Sequence, residues 1–472
     1  MGNRNSLWKR SSLVPKALPD QRLERSVGSG WLGEIRLILR IALPLIASLG
    51  CFALTMFVDR TFLLWYEPIS AGAAIAAGNA YWAFACIPVS TLGFVTPLIA
   101  QAIGRNDRHQ TSNLVWQSVW ITVISLPYFG LVAYSAASIF GPDHDPALRT
   151  MEIQYFRWLL TVAPGAMLEA GLSAYFVGRG LTGRVLAINI ASAILNIPLD
   201  WWLIFGGLGV SGAAIATSLA MWFKVALYGC LLSREARNGR FTGFPIRWRF
   251  GTMLSIVVPG STLGVQQVIK SALFSYTLIS IGRIGAVELA ATSAALSLYQ
   301  LFCTPVIGLA SAVTVVSAQR FAAEGLLRSV RSTAVGMLIG TAYTLTYVIP
   351  FLATPELFTG LMGSELTETE KQTVLPLASD LLKLTTIFAL FDFVSQILAA
   401  GLKGMGRAVI LLIAAVIAVA LIAVGFSLYS QYEQPTLLVW WGVLIWWPTL
   451  QAAVLLFGFA RFLRRERRSL QA

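Results

Sequence analysis

Charge is what this sequence has least of. Only 12% of its 472 residues are Asp, Glu, Lys or Arg, about half the share of a water-soluble domain. With 56% hydrophobic residues and a mean hydropathy of +0.71, a soluble fold is excluded, because it could not bury so much apolar surface. Histidine is nearly missing. His109 and His144 both fall in polar breaks, so no buried imidazole relay can be built. Cysteine is scarce as well: Cys51, Cys86, Cys230 and Cys303 lie singly in apolar runs with no CxxC pair, and read as small buried hydrophobes. There is no GxxxxGK[ST] phosphate loop, so nothing points to ATP as a driver. No cluster of catalytic or metal-ligating side chains gathers at one predicted water-facing surface, which argues against an enzyme, and no filter-like sequence supports a channel.

Long apolar runs are what is there. Each is long enough for the ~20 residues that cross a bilayer. The predicted spans are 34–63, 71–101, 112–138, 150–177, 184–205, 210–232, 251–282, 286–320, 329–351, 375–402, 407–430 and 437–462. The fold class is an all-α integral membrane protein of about twelve transmembrane helices. The net charge of +13 collects at residues 1–33, in the stretch 234–250 and at 464–472, with Arg105, Arg108, Arg179, Arg184, Arg320, Arg328, Arg331, Lys403 and Arg407 in loops of the same parity. Loops of opposite parity carry acids, among them Glu67, Asp143, Asp145, Glu356 and Glu433. This alternation is a positive-inside signature rather than a nucleic-acid surface. It predicts a multi-pass protein of the inner (plasma) membrane with both termini cytoplasmic. Residues 352–374 form the one long outer connection, and six tryptophans near span ends (Trp201, Trp202, Trp440, Trp441, Trp446 and Trp447) read as interfacial anchors.

The chain repeats itself. Cys86-Ile87-Pro88-Val89 matches Cys303-Thr304-Pro305-Val306, Ala100-Gln101 matches Ala318-Gln319, and Pro44 matches Pro259. Gly178-Arg179-Gly180-Leu181 is paired with Leu402-Lys403-Gly404-Met405. Six spans per half make the repeat parallel, about an axis along the membrane normal. The expected organisation is a basic tail (1–33), an N-lobe (34–233), a linker (234–250), a C-lobe (251–463) and a second basic tail (464–472).

Ala42-Leu43-Pro44, Phe57-Val58-Asp59, Ala100-Gln101-Ala102-Ile103-Gly104, Gly178-Arg179-Gly180, Asn196-Ile197-Pro198-Leu199-Asp200 and Gly212-Ala213-Ala214-Ile215-Ala216-Thr217 follow one another in an order that resembles the multidrug and toxic compound extrusion (MATE) transporters. Phe391-Asp392 and Gly401-Leu402-Lys403-Gly404 extend the resemblance over about 34–463. The resemblance implies a V of two six-helix lobes that alternates between outward- and inward-open states. It also implies secondary efflux of amphipathic or cationic small molecules, mostly organic cations and drugs, by antiport against Na+ or H+. No cofactor beyond a possible coupling Na+ is implied, and the transporter is expected to act as a monomer without nucleic acid.

Charges inside spans need a reason, since each costs ~2.5–3.5 kcal/mol on insertion scales. Asn196 and Asp200 share a helical face, and with Asp59 and Thr217 they offer only oxygen ligands, suited to a hard cation. A carboxylate there can instead carry a proton, or the group can be polar glue between helices. By resemblance these four positions match the N-lobe cation site. Two departures stand out. Arg60 replaces a small polar residue, and Lys270 stands where the NorM-like branch is typically acidic, opposite the acid matched by Asp392. Lys270 is expected either to pair with Asp392 as a fixed internal cation or to snorkel and line water. Glu169 can contact a cationic substrate, take a proton or bond a neighbouring helix; Tyr81, Trp82, Phe84 and Tyr299 are candidate cavity aromatics or simple packing. A lipid-linked oligosaccharide or lipid flippase of the same superfamily is the alternative function.

Overall fold

The computed structural model describes residues 30–141, 146–242, 247–362, 368–430 and 435–471. Hydrocarbon offers no partner to a backbone N–H or C=O, so runs this apolar must pair their backbone internally as helix. The N-terminal half comprises α1 (Trp31–Tyr66), α2 (Pro68–Gly93), α3 (Val95–Gly104), α4 (Arg108–Tyr134), the short α5 (Ala136–Ile139), α6 (Pro146–Leu159), α7 (Val162–Gly178), α8 (Thr182–Leu203) and α9 (Gly209–Arg237). The C-terminal half comprises α10 (Phe250–Ile284), α11 (Ala286–Glu324), α12 (Leu326–Ala353), the short α13 (Pro355–Met362), α14 (Glu368–Gly404), α15 (Ala408–Tyr429) and α16 (Leu437–Gln471). No strand occurs among the described residues. The end at which α1 begins and α16 finishes is called basal below, and the opposite end apical.

Among the described residues, eleven helical runs are long and apolar enough to cross a membrane, and one of them, Thr182–Arg237, spans 56 residues. That run is a hairpin. Its backbone reverses at Ile204–Leu208, where Gly207 (φ 103°) and Gly209 (φ 52°) hold left-handed conformations open mainly to glycine. Ser192 Oγ, on α8, accordingly donates to the Ala220 carbonyl of α9 at 3.1 Å. The chain therefore makes twelve crossings, six in each half.

Proline decides where the crossings break. Pro97 and Pro164 lack the N–H that would bond the carbonyls of Gly93 and Leu160, and the helix interrupts at those places, between α2 and α3 and between α6 and α7. The second opening finds a substitute donor: the Trp222 indole bonds the Thr161 carbonyl at 3.2 Å. The corresponding C-lobe crossings, α11 and α14, run unbroken. The N-lobe helices separate at these two places, whereas Pro305 and Pro376 sit inside α11 and α14 without interrupting them.

The lobes meet along α1 against α11 and α2 against α10. Ile38, Ile41, Ala42 and Leu45 of α1 share a core with Val306, Leu309 and Ala312 of α11 and with Phe393 and Ile397 of α14. Close approach depends on glycine. A Cβ at Gly264 of α10 would stand 2.7 Å from Ile87 Cα of α2, and one at Gly260 would stand 2.8 Å from Thr91 Cα. At the basal end the repeat closes on itself. Gln101 Nε2 donates to the Gly404 carbonyl and Gln319 Nε2 donates to the Gly178 carbonyl, each at 2.7 Å. Arg331 of α12 faces Glu34 of α1 at 3.2 Å, and Ser332 donates to the same carboxylate.

This symmetry corrects the repeat register. Gly178 and Gly404 both end their helices, and two residues on Gly180 (φ 73°) and Gly406 (φ 76°) take the same left-handed turn. The matching bonds Leu181 N to Phe176 O and Arg407 N to Leu402 O fix the alignment. Lys403 therefore corresponds to Val177 and not to Arg179, and it lies within α14 instead of in a loop. Other expectations also shift. The outer connection 352–374, whose sequence allowed helix, is helical at Pro355–Met362 and again from Glu368, and α9 runs to Arg237, into the expected linker. Trp441 is fully buried and donates to Thr292 Oγ1 at 3.2 Å; Trp440 and Trp447 are buried too, so these three are core residues and only Trp201, Trp202 and Trp446 face outward. Aromatic volume fills the C-lobe core there, which sequence position near a span end did not reveal.

Each glutamine-to-carbonyl bond is worth ~1 kcal/mol. Gln101→Ala/Gln319→Ala should therefore enlarge the basal-open population about tenfold or more. Spin labels at Arg105→Cys and Ala323→Cys, with Cys51 and Cys230 replaced by Ser, read this as a new long-distance component; an unchanged distribution would show that the clasp carries no weight. In the hairpin, a Cβ at Gly212 would lie 2.6 Å from the Leu203 backbone, whereas Gly206 has open space around it. Gly212→Val should lower the thermal midpoint by several degrees in detergent, and Gly206→Ala should leave it within about a degree.

Candidate functional site

Three groups of polar side chains sit inside the apolar body. The first lies in the N-lobe, where α1 packs on α8. Asp59, Asn196 and Asp200 are all buried, Asp200 to 0% exposure. Asn196 is within bonding reach of Asp200, but no well-formed hydrogen bond satisfies either oxygen of Asp200, either side-chain polar atom of Asn196 or Oδ1 of Asp59. The two carboxylates are near enough to act on each other, and the Tyr155 hydroxyl of α6 bonds Asp59. Two like charges in one desolvated pocket are held only if a proton or a cation joins them. Arg60 is exposed, turned away as one residue's ~100° rotation allows, although its field still reaches Asp59. Thr217 is half-buried on α9 and no hydrogen bond joins it to the other three; its neighbour Ser218 bonds Thr161 instead. The structure thus brings together Asp59, Asn196 and Asp200 and adds Tyr155.

The second group lies in the C-lobe. Lys270 Nζ of α10 stands 3.7 Å from Asp392 Oδ1 of α14. Tyr299 and Gln396 both donate to Asp392 Oδ2. The lysine is 47% exposed while the acid is buried, so the ammonium stem reaches inward from an accessible face. Asp392 has fixed donors, whereas Asp59 and Asp200 have almost none. The two lobes hold their acids in opposite ways.

The third group lines a cavity of about 350 Å³ between the lobes, in the basal half of the helices. Glu169 of α7, Lys224 of α9 and Lys403 of α14 line it, together with Asn189, Thr96 and Ser311. Its floor is the clasp described above, since Val177 and Lys403 line the cavity and each precedes a clasped glycine carbonyl. Of the five candidate cavity residues, only Glu169 lines this space. Tyr81 and Phe84 pack against the N-lobe core, Phe84 edge-on to Phe156 at 6.2 Å, because their faces of α2 point toward α6. Trp82 is exposed on the outer side of α2, and Tyr299 is consumed in holding Asp392.

A family model for MatE matches residues 44–202 and 263–428, one segment in each lobe. The chain belongs to the MatE family. It is a transporter, not an enzyme. Solved structures agree in fold. A multidrug resistance MATE transporter of the MOP superfamily, in an outward-facing conformation, is 19% identical with a TM-score of 0.80, covering 95% of this chain and 98% of that one. The eukaryotic MATE transporter AtDTX14 is 18% identical with a TM-score of 0.78, over 93% of this chain and 100% of its own. A MOP superfamily transporter from Pyrococcus furiosus Vc1, described as having a binding pocket of reverse polarity, is 19% identical with a TM-score of 0.77, over 97% and 100%.

Tyr155, Gln396, Lys224 and the cavity position of Lys403 were missed from the sequence of this MATE transporter. Lys224 carried a usable signal, a lone ammonium well inside an apolar span. Tyr155 and Gln396 carried none, because tyrosine and glutamine near a helix midpoint are ordinary and their value here comes from the carboxylate each faces. If Lys270 and Asp392 act as a pair, Lys270→Met and Asp392→Asn should each lower the stability to denaturant by roughly 1 kcal/mol given the half-exposed lysine, and the double variant should recover part of the loss. Additive losses in a double-mutant cycle would show that the two side chains do not interact energetically.

Proposed function

We propose that this MATE transporter is a secondary active antiporter that exports small amphipathic molecules, organic cations among them, in exchange for Na+ or H+ bound at Asp59, Asn196 and Asp200. The observation that carries this reading is the set of buried, unpartnered oxygens on those three side chains. A protein retains such groups in its apolar interior when a ligand that comes and goes completes them. The oxygen donor set suits a hard cation, and either carboxylate can take a proton instead. Tyr155 bridges from α6, the segment just above the break at Leu160–Thr161, so occupancy of the site and bending of the interrupted N-lobe are mechanically linked.

The cycle follows from linkage. Ion binding favours one arrangement of the lobes and cargo the other, each by its differential affinity for the two states. The basal end, which carries the Arg179–Glu235–Arg184 cluster and Arg331, faces the cytoplasm in this scheme. Lys270 occupies the C-lobe acid permanently, leaving the N-lobe as the exchanging site. A second reading, flipping of a lipid-linked oligosaccharide or lipid, is favoured by the lysines of the central cavity and by the reverse pocket polarity described for one structural neighbour.

Purified protein in liposomes, with Na+ and pH gradients imposed independently, tests the proposal. Wild-type export should follow at least one gradient, and Asp200→Asn should lose that dependence by tenfold or more. An identical response of the two proteins to both gradients would overturn the ion site. Lys270→Glu should add a second cation dependence in the same vesicles. A lipid-scrambling readout in parallel distinguishes the flippase reading, which requires fluorescent lipid to cross with the same gradient dependence.

A further inference from the structure

The central cavity has a charge pattern that a site for simple cations would not have. Lys224 and Lys403 enter it from opposite lobes, and among the described residues neither side chain has a hydrogen bond or ion pair with protein. Glu169 lines the same wall as Lys224 without an ion pair to it. Around these charges stand neutral donors and acceptors, Asn189, Thr96 and Ser311, and apolar walls from Leu45, Leu49 and Phe52. Bare ammonium groups deep in an apolar body repel each other and any cationic cargo, at a cost that a counter-charge removes. The repeat sharpens the point, because the partner position of Lys403 is Val177, which lines the same cavity from the other lobe. An apolar residue fits that turn equally well, so the helix ending does not require lysine.

We infer that this cavity binds a zwitterionic amphiphile, with its anionic group held by Lys224 and Lys403 and its cationic group by Glu169. The inference rests on the transport reading above and narrows its cargo. A volume of about 350 Å³ lies at the small end of ligand cavities, which suits a compact molecule with one carboxylate and one amine on an apolar frame. The location ties the site to the movement of the lobes. Lys403 immediately precedes the carbonyl that Gln101 clasps, and Val177 immediately precedes the one clasped by Gln319. Closing the clasp brings the lobes and the two lysines together, so a cargo that enters from the basal side is chelated as the floor shuts behind it.

A matched dye pair tests the idea in the purified full-length transporter. Tetramethylrhodamine carries a free carboxylate and is zwitterionic, while its ethyl ester keeps the frame and is cationic. Binding by fluorescence anisotropy should favour the free acid by about tenfold. Lys224→Met and Lys403→Met should each weaken the acid about tenfold and leave the ester within twofold, with Lys→Arg at either site restoring most of the affinity. Glu169→Gln should weaken both dyes. Monodispersity on size exclusion confirms that each variant is folded, and retained ester binding does so as well for the lysine variants. Equal or tighter binding of the ester by wild type, or equal losses for both dyes in the lysine variants, would overturn the inference. Displacement of the acid by dioctanoyl phosphatidate at lower concentration than by unlabelled dye would assign the lysines to a lipid headgroup and would also overturn it. Failure of the antiport reading would look different: both dyes would bind as described but neither would cross liposomes in response to an ion gradient.

Discussion

Two lobes that share no covalent link beyond one connection near residue 240 must find each other in a medium as apolar as they are. Hydrocarbon gives helices no hydrophobic reason to associate, so the contact is made by close backbone packing and by hydrogen bonds that lipid cannot replace. Gly260 and Gly264 let α10 lie against the backbone of α2, and Gly308 does the same for α11 on α1. The reciprocal bonds of Gln101 and Gln319 then lock the basal ends with groups that have no water to turn to. Everything functional hangs on this seam. It forms the floor of the cavity, it brings Lys224 and Lys403 to one space, and in the proposed cycle it is the part that must yield.

The lobes are copies in outline and opposites in chemistry. Pro97 and Pro164 interrupt helices of the N-lobe, while α11 and α14 of the C-lobe run without a break. The N-lobe holds Asp59 and Asp200, most of whose oxygens lack a well-formed bond from a protein donor; the C-lobe holds Asp392 with Tyr299, Gln396 and Lys270 around it. On the proposed function, the interrupted lobe with unsatisfied acids is the one that responds to a ligand, against the unbroken lobe with its paired acid. This division of labour follows from a few substitutions within a duplicated frame rather than from any new element.

Much of this was legible in the sequence for one physical reason: the bilayer is a uniform solvent, and span length and charge parity respond to it locally. The spans, the hairpin count and the two-lobe repeat were readable from apolar run length and recurring landmarks. Asp59, Asn196 and Asp200 stood out because charge and amide are costly in hydrocarbon, and Lys270 with Asp392 for the same reason. For Tyr81 and Phe84 the sequence left cavity and packing open, and Trp441 was misplaced, since an aromatic in an apolar span looks the same whether it meets lipid, core or cavity. Lys403 was assigned to a loop because its sequence neighbour Gly404 resembles Gly180, whereas the backbone pairs Gly180 with Gly406.

What the sequence by itself determined is the class of molecule: twelve apolar crossings, a basic end, a duplicated frame and a handful of intramembrane charges. Those properties depend on each residue's own transfer energy and on its distance along the chain. Which charges meet was decided only by tertiary structure. The 3.7 Å approach of Lys270 to Asp392, the donors that Asp392 has and Asp200 lacks, and the convergence of two lysines from opposite lobes depend on how the helices rotate and cross. Helix rotation is set by small residues and hydrogen bonds at the seam, and no local pattern records where those will find their partners.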